Sequence, residues 1–192
     1  MSDLKIHDEH TAPEPARGKL AAIKHTYGDI PNLLGVLAEN PAALDAYLAL
    51  SNSFDHAGFD PLARHVVLIT ASIENACHFC VAAQSSVAAA EGLDAGVIDA
   101  VLKNRPIADA RLDALRVFTR RMVRQRGFVS DTEVTVFLNA GWTRADILGV
   151  ILGVSLKTLS NYTNHVAETP LNKAYRPYAW APCTRACAAG TA

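Results

Sequence analysis

The chain is 192 residues long, 50% apolar, and carries a formal net charge of −1. That suits one folded domain with an ample core, excludes a disordered chain, and argues against a nucleic-acid or anionic-membrane partner. Met1–Thr11 holds no apolar signal segment, and the longest apolar run, Ile147–Leu156, is too short to cross a bilayer. No membrane partner and a cytoplasmic location are therefore expected, and there a Cys-x-x-Cys pair is more often catalytic or metal-binding than a structural staple.

Residues 1–18, with Pro13, Pro15 and Gly18 among mixed charges, read as a mobile N-terminal arm. A helical domain is expected over 19–172, followed by a tail over 173–192 with Pro177, Pro182 and few periodic apolar positions. Lys19–Tyr27 and Asn32–Ala38 read as short helices on either side of a Gly28-Asp29-Ile30-Pro31 turn. Pro41 opens a helix to about Phe54, with Leu44, Tyr47, Leu48 and Leu50 inward. Asp60 and Pro61 cap the next, along which Leu62, Val66, Ile69 and Ile73 recur at helical spacing. Val66–Ile69 alone would read as a strand, but the cap and the surrounding alanines favour helix.

A helix from about Cys77 to Glu91 follows, then one capped by Asp94, then a long one over Arg111–Arg126. The last turns Leu112, Leu115, Phe118 and Met122 inward and carries Arg116, Arg120, Arg121, Arg124 and Arg126, read as a solvated face near its C-terminus. Ser130–Glu133 and Thr143–Asp146 are capping-box patterns that open helices over Ser130–Ala140 and Arg144–Glu168. The second is apolar nearly all round over Ile147–Leu156, as in a core or subunit-interface helix. The expected fold class is all-α, with no credible strand and no internal repeat.

Chemistry concentrates in Glu74-Asn-Ala-Cys77-His78-Phe-Cys80-Val-Ala-Ala-Gln84. Cysteines three residues apart share a helix face. The first stands near a helix start, where the dipole and free N–H groups favour an anion and lower a thiol pKa. The spacing also suits closure of a disulfide, so the leading reading is a thiol–disulfide redox site. That reading requires sulfurs that can bond to one another and reach a cavity. The alternatives are two buried small hydrophobes, or a zinc site completed by Cys183 and Cys187. Otherwise the tail cysteines are incidental exposed thiols. Neither cofactor nor resident metal is expected.

The run Asn75-Ala-Cys77-His-Phe79-Cys80-Val-Ala-Ala83-Gln84 resembles the alkylhydroperoxidase D / carboxymuconolactone decarboxylase family, whose signature is Asn-x-Cys-x-Tyr/Phe-Cys-x-x-Ala-His. Gly28–Pro31 and the stretch from Gly141-Trp142 to His165 extend the likeness over most of residues 20–172. The resemblance implies an all-helical homo-oligomer, a trimer or hexamer. It also implies a peroxidase acting on small hydroperoxides, with Cys80 peroxidatic, Cys77 resolving, and a protein or small-thiol reductant. Two positions depart from the pattern. The relay histidine four residues after the second cysteine is Gln84, and the glutamate twelve before the first is His65. An amide cannot take a proton from a thiol. Substitutes are His65, His78, Glu74 and His165; His65 is favoured as replacement base, because Glu74 lies on the opposite face of its helix. The redox function is then a peroxidase or a disulfide reductase, acting on small hydroperoxides or on a partner disulfide; two other functions remain open, a non-redox decarboxylase-like enzyme acting on a lactone-like substrate, and a redox-sensing or structural oligomer without turnover.

Overall fold

Nine α-helices and a closing 3-10 helix make up the regular structure of residues 3–181, the part of the chain that the computed structural model describes. No strand occurs among the described residues. The helices are α1 Glu14–Tyr27, α2 Asn32–Leu37, α3 Pro41–Asp55, α4 Pro61–Glu74, α5 His78–Ala90, α6 Ala95–Leu102, α7 Ala110–Arg124, α8 Asp131–Asn139 and α9 Arg144–Ala167; the 3-10 helix is Lys173–Tyr178.

Their starts follow the chemistry of orphan backbone amides. The side chains of Asn40, Asp60, Asp94 and Asp109 accept from the first free N–H groups of α3, α4, α6 and α7. Both capping boxes form, Ser130 with Glu133 and Thr143 with Asp146. α1 starts five residues before the expected Lys19, because Pro15 falls within its first two positions, where a missing N–H costs no helical bond. Parts of the segment read as a mobile arm lie against the domain. The His7 amide donates to the Gly35 carbonyl at 3.1 Å, the His7 ring meets Glu39 at 2.7 Å, and Ala12 and Ala16 are buried.

α4 is the central helix. It packs against α5, α6, α7 and α9, and every residue from His65 to Ser72 is buried. Val66–Ile69 is therefore helical despite its β-branched composition, since a fully surrounded helix is apolar all round. α9 is less enclosed than its sequence suggests: Leu148, Ile151 and Tyr162 are exposed along its outer face. Its inner face approaches α3 and α4 closely because Gly149 rests on the Phe59 ring and Gly153 on Phe54 and Val67. Arg121, Arg124 and Arg126 are exposed, as expected of a solvated face, but four of the arginines also act as staples. Arg120 and Arg124 pair with Glu74 of α4, Arg121 pairs with Glu133 of α8, and buried Arg116 binds Asp113 and Asn104.

These contacts set an expectation for stability. A Cβ on Gly153 would lie 2.7 Å from Phe54 Cε2 and from Val67 Cγ1, so Gly153→Ala should cost about 1–3 kcal/mol by overpacking. Gly18, inside α1 with nothing within 4 Å, should gain about 0.5–1 kcal/mol on replacement by Ala. Thermal melts of the two variants should move in opposite directions; equal shifts would contradict this packing.

Candidate functional site

The connection from α4 to α5 is three residues, Asn75–Cys77, and it reverses the chain tightly. The Asn75, Ala76 and Cys77 amides donate back to Ala71, Ile73 and Ser72 of α4 at 3.1, 2.9 and 2.9 Å. Ala76 takes φ +54°, a left-handed conformation that costs a non-glycine residue about 1–2 kcal/mol and must be held by its surroundings. Cys77 becomes the N-cap of α5 and Cys80 follows in its first turn, so both sulfurs face inward, 1% and 2% exposed. They are free thiols within hydrogen-bond reach of one another.

The opposite wall is one face of α9. Lys157, Ser160, Asn161 and Asn164 recur at helical spacing and are all buried. Asn164 Nδ2 lies 3.3 Å from Cys80 Sγ and 3.8 Å from Cys77 Sγ, and Ser160 Oγ lies 3.7 Å from Cys80 Sγ. Asn161 is oriented by Asn75, whose Nδ2 donates to its Oδ1 at 2.9 Å. Lys157 is 1% exposed, it shares the face of α9 that meets the Cys80 sulfur, and among the described residues no carboxylate pairs with it. Tyr47 of α3 is its other polar neighbour.

The electrostatics divide the two sulfurs. The hydrogen bond from the Cys77 thiol holds the Cys80 pKa well below the ordinary thiol value against the opposing effect of burial, and Lys157, Ser160 and Asn161 add to it. The same bond, with burial and the charge on Cys80, pushes the Cys77 thiol up. Burial works against the Lys157 ammonium, but Cys80, Tyr47 and Cys77 outweigh it and lift its pKa above the usual lysine value. The arrangement is a thiolate–thiol pair beside a buried cation.

The other residues singled out from sequence lie elsewhere. His65 is buried on α4 with Nε2 3.6 Å from Glu91 Oε2, at the far end of α5; eleven residues of helix put that end about 16 Å from Cys80. Its Nδ1 has no partner among the described residues, and burial lowers its pKa. Glu74 is engaged with Arg120 and Arg124 of α7. His78 is exposed, its Nδ1 2.8 Å from the Trp180 carbonyl. His165 is exposed beside Tyr162, ring centroids 6.4 Å apart. Gln84 is half-buried one turn beyond Cys80 and makes no hydrogen bond to any described residue. Lys157, Ser160, Asn161 and Asn164 were not singled out from sequence. The available signal was polar residues at positions i, i+3, i+4 and i+7 of a helix whose first half is apolar. No group of three or more His, Cys, Asp or Glu able to hold a metal occurs among the described residues; Cys183 and Cys187, and hence the four-cysteine zinc reading, lie outside them.

The access to a cavity that the redox reading requires is not open at rest: neither sulfur lines any of four surface cavities of about 450–700 Å³, whose walls are other residues. Asn75, which bonds Asn161, lines the cavity between α7 and α9. The 3-10 helix packs over α5, and the Tyr175 ring meets Phe79 edge-on at 5.7 Å and 90°. An aromatic pair of this kind is worth about 0.5–1.5 kcal/mol beyond its buried area. With Cys183 and Cys187 replaced by Ser, Tyr175→Ala should therefore speed labelling of the pair by an aromatic disulfide reagent about tenfold, the equivalent of about 1.4 kcal/mol. An unchanged rate would show that this segment does not control access.

No family model and no curated protein matches the sequence. Solved structures do match its fold. A peroxidase-related protein from Ralstonia eutropha JMP134, described as an alkylhydroperoxidase AhpD core, superposes with a TM-score of 0.79 at 19% identity, covering 89% of this chain and 92% of its own. A peroxidase-related protein from Silicibacter sp. TM1040 gives 0.71 at 20% identity over 91% and 92%. A variant of the debrominase Bmp8 in complex with 2,3,4-tribromopyrrole gives 0.76 at 12% identity over 92% and 95%. The chain has the alkylhydroperoxidase AhpD-like, all-α core fold.

Proposed function

We propose that the chain is an alkylhydroperoxidase D-like thiol peroxidase that reduces small hydroperoxides through Cys80 and Cys77. The observation that carries this reading is the contact between the two sulfurs, with Cys80 held as the anion by Cys77, Asn164 and Lys157. A thiolate is the nucleophilic form of cysteine, and one stabilised in a dry pocket is present at neutral pH. The Cys80 thiolate attacks the hydroperoxide: an S–O bond forms, the O–O bond breaks, and the departing alkoxide takes a proton to become an alcohol. Cys80 is then a sulfenic acid. The Cys77 thiol condenses with it, the S–S bond forms, and water leaves. A dithiol reductant, protein or small molecule, supplies the two electrons and two protons that reopen the disulfide. Because the sulfurs are closed off at rest, substrate enters when the 3-10 helix lifts from Phe79.

A second reading draws on the likeness to the debrominase Bmp8: the same dithiol could supply two electrons to remove halide from a small aromatic ring. The expected assembly is a homo-oligomer, for which Leu148, Ile151 and Tyr162 on the outer face of α9 supply apolar surface to bury.

The test uses protein with Cys183 and Cys187 replaced by Ser, so that only the pair is counted. One equivalent of tert-butyl hydroperoxide should consume both thiols and yield an intramolecular disulfide by intact mass, with turnover when dithiothreitol is present. Cys77→Ser should stop at the sulfenic acid and Cys80→Ser should not react. The rate should be lost as pH falls through the depressed Cys80 pKa, well below the ordinary thiol value of about 8.5. Inertness of the folded protein toward the hydroperoxide, or oxidation that begins at Cys77, would refute the reading; dehalogenation of 2,3,4-tribromopyrrole without peroxide turnover would favour the second.

A further inference from the structure

We infer that Lys157 is a catalytic residue of this thiol cycle: it is the counter-ion of the Cys80 sulfur at rest, and it hands its proton to the oxygen that leaves when that sulfur is oxidised. The inference rests on the redox reading above and names the group that replaces the histidine relay.

The geometry leaves few other donors. His65 is bound up with Glu91 at the other end of α5, and His78 and His165 are exposed on the surface. Glu74 is paired with two arginines. The groups that face Lys157 are Tyr47 from α3, Cys77 and Cys80 from α5 and, farther off, His65 from α4, while Tyr175 from the 3-10 helix faces Tyr47 and Cys80. No carboxylate is among them. A lysine buried to 1% exposure would be strongly disfavoured as a lone cation and needs an anion in contact. Burial pushes the Tyr47 and Tyr175 phenols up, so both are neutral near pH 7. The anion is therefore the Cys80 sulfur, which two residues of the same α9 face, Ser160 and Asn164, meet at 3.7 and 3.3 Å and whose charge favours the ammonium. The position is built into α9: one turn on from Lys157, Ser160 meets the Cys80 sulfur at 3.7 Å, and Asn164 follows one turn further at 3.3 Å.

The proton balance closes around this group. As Cys80 sulfur bonds to the peroxide oxygen, the O–O bond breaks and the alkoxide takes a proton from the Lys157 ammonium, leaving a neutral amine and an alcohol. The amine then accepts the Cys77 thiol proton. The Cys77 sulfur displaces hydroxide from the Cys80 sulfenic acid, and the hydroxide leaves as water with that same proton. When a dithiol reduces the disulfide, one of its two protons returns to Cys77 and the other to Lys157, which restores the resting ion pair.

The test compares Lys157→Met with Lys157→Arg in the background lacking Cys183 and Cys187. Arginine keeps the charge but does not release its proton. Ultraviolet titration of thiolate should show Cys80 ionising at higher pH in Lys157→Met and near the native position in Lys157→Arg. Oxidation by tert-butyl hydroperoxide, whose alkoxide needs a proton, should slow at least about a hundredfold in Lys157→Arg, whereas peracetic acid, whose carboxylate leaves without one, should react at nearly the native rate. In the unsubstituted protein the alkyl hydroperoxide reaction, but not the peracid reaction, should be slower in deuterated water, a comparison that requires no variant to fold. A Cys80 titration unmoved by Lys157→Met, equal slowing of both oxidants, or no isotope difference would overturn the role of Lys157. Failure of native protein to react with either oxidant would instead overturn the peroxidase reading.

Discussion

A buried lysine without a carboxylate partner is the constraint around which this site is built. Lys157 cannot remain charged in the core unless something beside it is negative, and among the described residues around it the ionisable group that can serve near neutral pH is the Cys80 thiol. The low-dielectric setting that makes a lone charge costly also strengthens the attraction once the pair exists. The Cys77 thiol completes the arrangement by donating to the Cys80 sulfur, so one proton is retained on the pair and its location is defined. Two cysteines alike in sequence context are thereby made chemically different.

The fold's contribution is to bring two elements together that are 80 residues apart in sequence. The left-handed Ala76 turn fixes the cysteines at the start of α5, and the glycines of α9 let that helix settle against Phe54, Phe59 and Val67. Because Gly149, Gly153 and Lys157 succeed one another at single-turn spacing, the side of α9 that packs on the core continues into the polar side that meets the sulfurs. Phe79 lies in the same core cluster as the two sulfurs, and Tyr175 of the 3-10 helix packs against it edge-on.

Local signals were readable where backbone chemistry is local. The caps at Asp60, Ser130 and Thr143 mark helix starts within a residue, and the Cys77–Cys80 spacing marks one helix face. Signals that depend on distant partners were not. Helical register correctly separates His65 from Glu74, but it does not say that Glu91 waits opposite the first and two arginines opposite the second. Pro13 and Pro15 read as breakers, although at the first positions of α1 they break nothing. The pairing of Arg120, Arg121 and Arg124 was not readable because their acids come from α4 and α8. Lys157 was the hardest to recognise. A lysine that ends an apolar run ordinarily extends its stem to reach water, and only the tertiary placement of two sulfurs against it shows why this one does not.

The central claim is that Cys77 and Cys80 form one reversible two-electron couple within an intact fold. The most direct measurement equilibrates the protein lacking Cys183 and Cys187 in dithiothreitol redox buffers of graded poise and follows intact mass together with helical circular dichroism. The account predicts smooth interconversion of dithiol and intramolecular disulfide with helicity unchanged. Disulfide that forms only with loss of helicity, or at no poise, would contradict it.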